Sequence, residues 1–259
     1  MGMFATVWLE VIIALGGAAV GSFLNVCILR IPEGLSIVSP ASRCPSCGHP
    51  IRWYDNIPVV GFLILKGRCR DCRATISPRY PLVELTTAVL AWLLLRKYGF
   101  TPLLLITFFF TAVLIVVSLI DLDRQIIPHR ITLTGIPIFS MLAVFFMGLS
   151  PVEVFLGVMI GAGTLYFVAV YYEALTGREG MGGGDVNLLA MFGAFLGWKA
   201  LPFILLASSL LGVLVGGAVI LWKGKDLRYA IPFGPFLCLA ALLYLFFGTS
   251  LNRLWTQFA

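Results

Sequence analysis

Two carboxylates and four thiols carry most of the chemistry this sequence offers. Residues 180–187 read Gly-Met-Gly-Gly-Gly-Asp-Val-Asn and deliver Asp185 to the edge of an apolar stretch. An ionisable side chain at membrane depth costs roughly 2.5–3.5 kcal/mol on insertion scales, so its presence points first to function. Three consecutive glycines let a backbone approach another chain closely, at an entropic cost that an ordinary helix does not bear. Gly182, Gly183 and Gly184 are therefore expected to lie in a substrate loop, within the flexible segment 177–184. The competing role for Asp185 is to cap the following helix.

A lone aspartate cannot easily run both acid and base steps, and a second one stands at the end of another apolar run. There the chain reads Ser118-Leu-Ile-Asp121-Leu-Asp123-Arg124. Asp121 and Asp123 are about 200° apart around a helix, so only one can face a common centre. Asp121 follows the apolar run directly, whereas Asp123 borders Arg124 and can be solvated at the interface. Asp121 is the chosen partner, with a helix-end carboxylate or a salt bridge as its plainer reading. Two carboxylates brought together share one proton, and such a pair hydrolyses peptides: one activates water while the other hydrogen-bonds the scissile carbonyl.

The thiols form a separate group. Cys44-Pro-Ser-Cys47 and Cys69-Arg-Asp-Cys72 are two CxxC pairs at the spacing of a four-thiolate tetrahedral zinc site. Their flanks repeat, with Ile51 and Ile76 each four residues after the second cysteine. Four cysteine ligands leave no open position, so the Zn2+ is expected to be structural. It would supply folding free energy to a loop too small for a substantial core. His49 is read as a loop residue, and Cys27 and Cys238 as small buried apolar residues.

The elements that must position these groups are apolar helices. The chain is 60% hydrophobic and 12% charged with a mean hydropathy of +1.00, outside the range of soluble globular proteins. Eight stretches, at about 5–29, 81–98, 102–120, 131–148, 152–174, 186–198, 200–222 and 231–249, predict an all-α polytopic membrane protein of about eight transmembrane helices. The sixth is the shortest. With both ends outside, 14 of the 18 basic residues, among them Lys223, Lys225 and Arg228, fall in cytoplasmic loops. Arg96, Lys97, Lys199 and Arg253 are the exceptions, an asymmetry that obeys the positive-inside rule. The net charge of +6 thus reflects topology and gives no reason to expect a nucleic-acid partner. Asp121, Asp185 and the cysteine module all fall on the cytoplasmic face. The expected division is a first membrane helix at 1–29, a zinc-binding module at 30–79 and a catalytic membrane domain at 80–259.

Taken together, these motifs resemble the bacterial type IV prepilin leader peptidases, membrane aspartyl enzymes of the GxGD type. The resemblance runs through Gly21-Ser-Phe-Leu-Asn25-Val, both CxxC pairs, Asn56-Ile-Pro58, Ile76-Ser-Pro-Arg79 to Glu84, Asp121 with Ile127-Pro128, Gly182 to Asp185, and Phe233-Gly-Pro235. It implies that Asp121 and Asp185 are the catalytic pair and that Cys44, Cys47, Cys69 and Cys72 bind zinc. It also implies type IV prepilins, or pseudopilins of type II secretion, as substrates. These would be cut after a glycine at the inner membrane and then N-methylated with S-adenosylmethionine. Residues for the methyl donor cannot be assigned from the resemblance. Glu84 is an acid that could serve either site or pair with Arg79. One departure is His129, where members often carry aspartate. The competing functions are a proton- or ion-coupled transporter using the paired aspartates, and a zinc-stabilised scaffold.

Overall fold

The computed structural model describes residues 2–178, 180, 182–223 and 232–258, with side chains for 6–178, 180, 182–219 and 232–248. Lys225 and Arg228 lie outside the described residues, as do Glu179 and Met181 and the side chains of Lys223 and Arg253. Eight long helices occupy the eight apolar stretches: α1 (Gly2–Arg30), α3 (Arg79–Tyr98), α4 (Pro102–Arg124), α5 (His129–Phe146), α6 (Pro151–Thr176), α7 (Gly183–Leu196), α8 (Leu201–Lys223) and α9 (Gly234–Phe258). A short helix, α2 (Val60–Ile64), lies between the first two. Among the described residues the only β pairings are two isolated bridges.

Stretches within five of these helices, α1, α4, α5, α6 and α8, are long and apolar enough to cross a bilayer. Helix α7 and the described part of α9 are shorter apolar helices. Helix α3 carries Arg79, Glu84, Arg96 and Lys97, which lowers its hydropathy, and it packs along α1. The chain separates into two compact units, Met1–Ala112 and Val113–Ala259.

In the first unit, small residues bring α1 and α3 into close contact. A Cβ at Gly17 would lie 2.7 Å from the Ala91 Cβ, and one at Gly21 would lie 2.7 Å from the Glu84 Cα. This is the small-xxx-small packing by which membrane helices gain dispersion contact, because lipid offers no hydrophobic drive between them. Asn25, 6% exposed, donates from Nδ2 to the Tyr80 carbonyl at 3.2 Å. Glu84 accepts the Val59 N–H at 2.7 Å. Val59 precedes α2 at φ 61°, an angle that a β-branched residue adopts only when held, and the Glu84 carboxylate holds it. The carboxylate therefore ties the loop to α3.

In the second unit, α7 is packed by α5, α6 and α9. Every residue from Leu188 to Leu196 is buried. A helix that is apolar all round belongs in a protein interior. Gly157 of α6 and Gly193 of α7 meet backbone to backbone, and a Cβ at Gly161 would lie 2.6 Å from the Leu189 carbonyl oxygen. From α5, Phe139 packs edge-on to Phe195 with ring centroids 5.2 Å apart. Helix α6 opens with a capping box between Ser150 and Glu153 and closes on Gly177, which takes φ 67°.

Candidate functional site

Asp121 lies in the last turn of α4 and is 5% exposed, while Asp123 is exposed. The two-residue offset works as the helical angle requires, turning one carboxylate inward and the other out. Asp121 Oδ2 accepts the backbone N–H of Gly234 at 3.0 Å. Gly234 is the first residue of α9, so the free N–H of one helix start meets a carboxylate at another helix's end. A Cβ at Gly234 would lie 2.6 Å from Asp121 Oδ2 and 3.0 Å from Ile127 Cδ1, which leaves room only for glycine.

Asp185 is the third residue of α7. The helix cap is Gly182, with no side-chain hydrogen bond, so the capping role considered for Asp185 does not hold. Its Oδ1 is buried with no hydrogen-bond partner. A buried orphan acceptor costs about 1–3 kcal/mol and is kept where chemistry uses it. Asp185 and Asp121 lie within electrostatic range of each other. The Cys238 thiol of α9, 2% exposed, is within range of both carboxylates and is hydrogen-bonded with Ser118.

The glycine run is placed differently from the loop anticipated above. Gly183 and Gly184 form the first turn of α7, and only Gly182 precedes it. A Cβ at Gly184 would lie 2.7 Å from the Ile127 Cβ. Ile127 therefore abuts both Gly184 and Gly234 and joins the surroundings of the two aspartates. His129 opens α5, and its Nδ1 lies 3.1 Å from Asn187 Nδ2, two residues beyond Asp185. Sequence reading missed the Gly234 amide, the Ile127 wedge and the His129–Asn187 contact. The Phe233-Gly-Pro235 motif was the only available signal for the first.

The four cysteines meet in the first unit. All four Sγ atoms lie within 4.8 Å of one another, and Cys44 Sγ is 3.8 Å from Cys72 Sγ. Four sulfurs at zinc–sulfur distances of about 2.3 Å on a tetrahedron stand roughly 3.8 Å apart, so the cluster fits Zn2+. The two knuckles match bond for bond. Cys44 N–H donates to the His49 carbonyl at 2.9 Å and Cys69 N–H to the Ala74 carbonyl at 2.8 Å. Ile51 and Ile76 each reach back nine residues, to Ser42 and Gly67. Each knuckle turns through a left-handed residue just after its second cysteine, Gly48 at φ 71° and Arg73 at φ 61°. Backbone N–H groups of Cys47 and Ser46 draw the Cys44 thiol down to about 6, toward the thiolate that a metal needs. Asp55 braces the second knuckle, accepting both Nε and Nη2 of Arg70.

Residues 15–98 match the bacterial peptidase A24 N-terminal domain, and residues 108–217 match the type IV leader peptidase family. A protein of Aeromonas salmonicida strain A449 named prepilin leader peptidase/N-methyltransferase is 40% identical over 267 residues, covering 90% of this chain and 89% of the relative. One of the same name from Pseudomonas aeruginosa strain PAO1 is 37% identical, covering 94% and 92%. Another, from Myxococcus xanthus strain DK1622, is 43% identical over 213 residues, covering 81% of this chain and 62% of the relative. No solved structure matches the chain.

Proposed function

Because the chain belongs to the type IV leader peptidase family, we propose that it removes the leader of type IV prepilins, or of type II secretion pseudopilins. Cleavage follows a glycine at the cytoplasmic face of the bacterial inner membrane, and the new N-terminus is then methylated. The observation that supports this reading is that Asp121 and Asp185 lie within electrostatic range of each other, one on a backbone donor and one with a buried orphan oxygen. Residues 1–29 serve as the first membrane helix, 30–79 as the zinc module associated with methyl transfer, and 80–259 as the peptidase.

The two carboxylates take different parts. Asp121, whose charge the Gly234 N–H offsets, starts ionised and removes a proton from water as the water oxygen bonds to the scissile carbonyl carbon. Asp185 starts protonated and passes its proton to the carbonyl oxygen. When the carbon–nitrogen bond breaks, the leaving amine takes the proton held by Asp121. The adduct's hydroxyl returns its proton to Asp185 as the new carboxyl group forms, and the pair is restored. Helical amides resist attack because their carbonyls are already bonded, so the substrate must unwind locally, and Gly182 and Gly183 leave the helix start open to receive it. S-adenosylmethionine supplies the methyl group for the freed amine.

Co-expression with a prepilin tests the assignment. Asp121→Asn and Asp185→Asn are expected to slow leader removal by roughly 10²–10⁴-fold, the range for losing an acid or base, while Asp123→Asn retains most activity. Normal cleavage by either of the first two, read on a gel and by mass of the mature N-terminus, would overturn the pair.

A further inference from the structure

A cleft of about 580 Å3 beside the second cysteine knuckle is lined by Ile64, Leu65, Lys66, Arg68, Arg70 and Arg73. Every charged residue in that lining is a cation, and all four are exposed. Arg70 is engaged by Asp55, but Lys66, Arg68 and Arg73 have no acidic partner among the described residues. Two of the cations stand at conformational cost, Lys66 at φ 50° and Arg73 at φ 61°. A non-glycine residue at such an angle is uncommon. In the matching turn of the first knuckle the position of Arg73 is held by Gly48, which takes the angle freely. A cation stands where the fold alone would favour glycine.

The cleft also lies near the bilayer border. Helix α1 ends at Arg30 and α3 begins at Arg79, and the whole module is strung between them. Val59 N is fixed to Glu84 Oε2, and Glu84 is five residues inside α3, about 7.5 Å along its axis. Helix α2 follows at once, with Val60 46%, Leu63 66% and Ile64 66% exposed. The chain leaves that apolar face directly into the cationic lining. Apolar residues beside basic ones form the pattern of a surface that rests in the headgroup layer.

We infer that this cleft binds the phosphate headgroups of anionic phospholipids and seats the cysteine module on the membrane surface. Residues 30–79 hold eight basic and three acidic side chains, so the field around the module favours anions. Methyl donors with sulfonium and ammonium groups, and basic prepilin leaders, are repelled by a lining made only of cations. The apolar flank suits a phosphate that carries acyl chains better than a free ion.

Native mass spectrometry of the full-length protein ejected from nanodiscs of mixed phosphatidylglycerol and phosphatidylcholine tests this without reference to peptidase activity. The triple variant Lys66→Asn, Arg68→Gln, Arg73→Asn uses asparagine where φ is positive, which spares the backbone. Wild type is expected to retain phosphatidylglycerol selectively, and the triple variant to retain about tenfold less or lower still. Arg43→Gln, in the first knuckle outside the cleft, and the charge-keeping Arg68→Lys should both behave as wild type. The site is refuted by undiminished retention in the triple variant, by equal loss in Arg43→Gln, or by displacement of the lipid by inorganic phosphate. Zinc loss in the triple variant would also refute it, by assigning the cations to the charge of the thiolate cluster. Selective loss of S-adenosylmethionine binding with lipid retained would assign the cleft to the methyl donor instead.

Discussion

Asp121 and Asp123 stand two residues apart on one helix, and that offset separates a buried, hydrogen-bonded carboxylate from an exposed one. The distinction was legible because the turn angle of a helix is fixed by its backbone, whatever the tertiary context. The partner that holds Asp121 was not legible. A backbone N–H 113 residues away has no side chain to announce it. Gly234→Ala tests that partner directly, since its Cβ would press on Asp121 Oδ2 at 2.6 Å. Leader cleavage should fall at least about tenfold, as expected when a catalytic group is displaced by a fraction of an ångström, with helical circular dichroism unchanged. In the first unit, the Arg70 guanidinium holds the Asp55 carboxyl below the usual carboxylate range. That contribution is complete above the unfolded value of about 3.9 and fades as pH falls through the lower folded value. At neutral pH it is fully in place, so Asp55→Asn should make the module more susceptible to proteolysis at pH 7.

Helix positions followed from apolar run length, which is why eight stretches and eight long helices coincide. What surrounds each helix did not follow, because lipid tails and protein interiors are equally apolar. Helix α7 was the shortest of the stretches; it is a 14-residue helix packed by α5, α6 and α9, with every residue from Leu188 to Leu196 buried. Gly183 and Gly184 looked like loop residues for a similar reason: glycine composition reports close approach as readily as flexibility, and here Ile127 lies against the first turn. The contact of Gly157 with Gly193 sets how closely α6 and α7 approach. Gly193→Val should therefore destabilise the second unit by about 3 kcal/mol or more, at the upper end for overpacking, since backbone cannot turn aside as a side chain can. Reversible unfolding in mixed micelles with increasing SDS measures the loss.

At the scale of the whole molecule, the chain joins a membrane unit that holds the aspartates to another that holds a four-cysteine cluster with the geometry of a zinc site. The CxxC spacing made the four-cysteine cluster readable from sequence, because tetrahedral thiolate geometry needs two tight turns and little else. The anchoring of that module through Glu84 and Val59 was not readable, since it rests on a backbone angle that valine rarely adopts. Loading the protein with Zn2+ and then stripping it with a strong chelator is expected to expose residues 31–78 to protease while the helical signal changes little, because a module this small would draw its folding free energy from the metal and the spans would not. Mass mapping of the fragments locates the cuts. Cleavage first in the α4–α5 connection would contradict the prediction.

The burial of every residue from Leu188 to Leu196 in α7 carries a consequence for substitution tolerance. Most membrane helices keep a lipid-facing stripe on which any greasy residue serves, so a complete scan of replacements shows tolerant positions recurring every three or four residues. From Leu188 to Leu196 there is no such stripe, and side-chain volume is constrained at each successive position. A saturation scan scored by prepilin processing should therefore return an unbroken intolerant block there, with periodicity reappearing in α8, where Leu206, Leu210, Val213 and Leu214 are exposed.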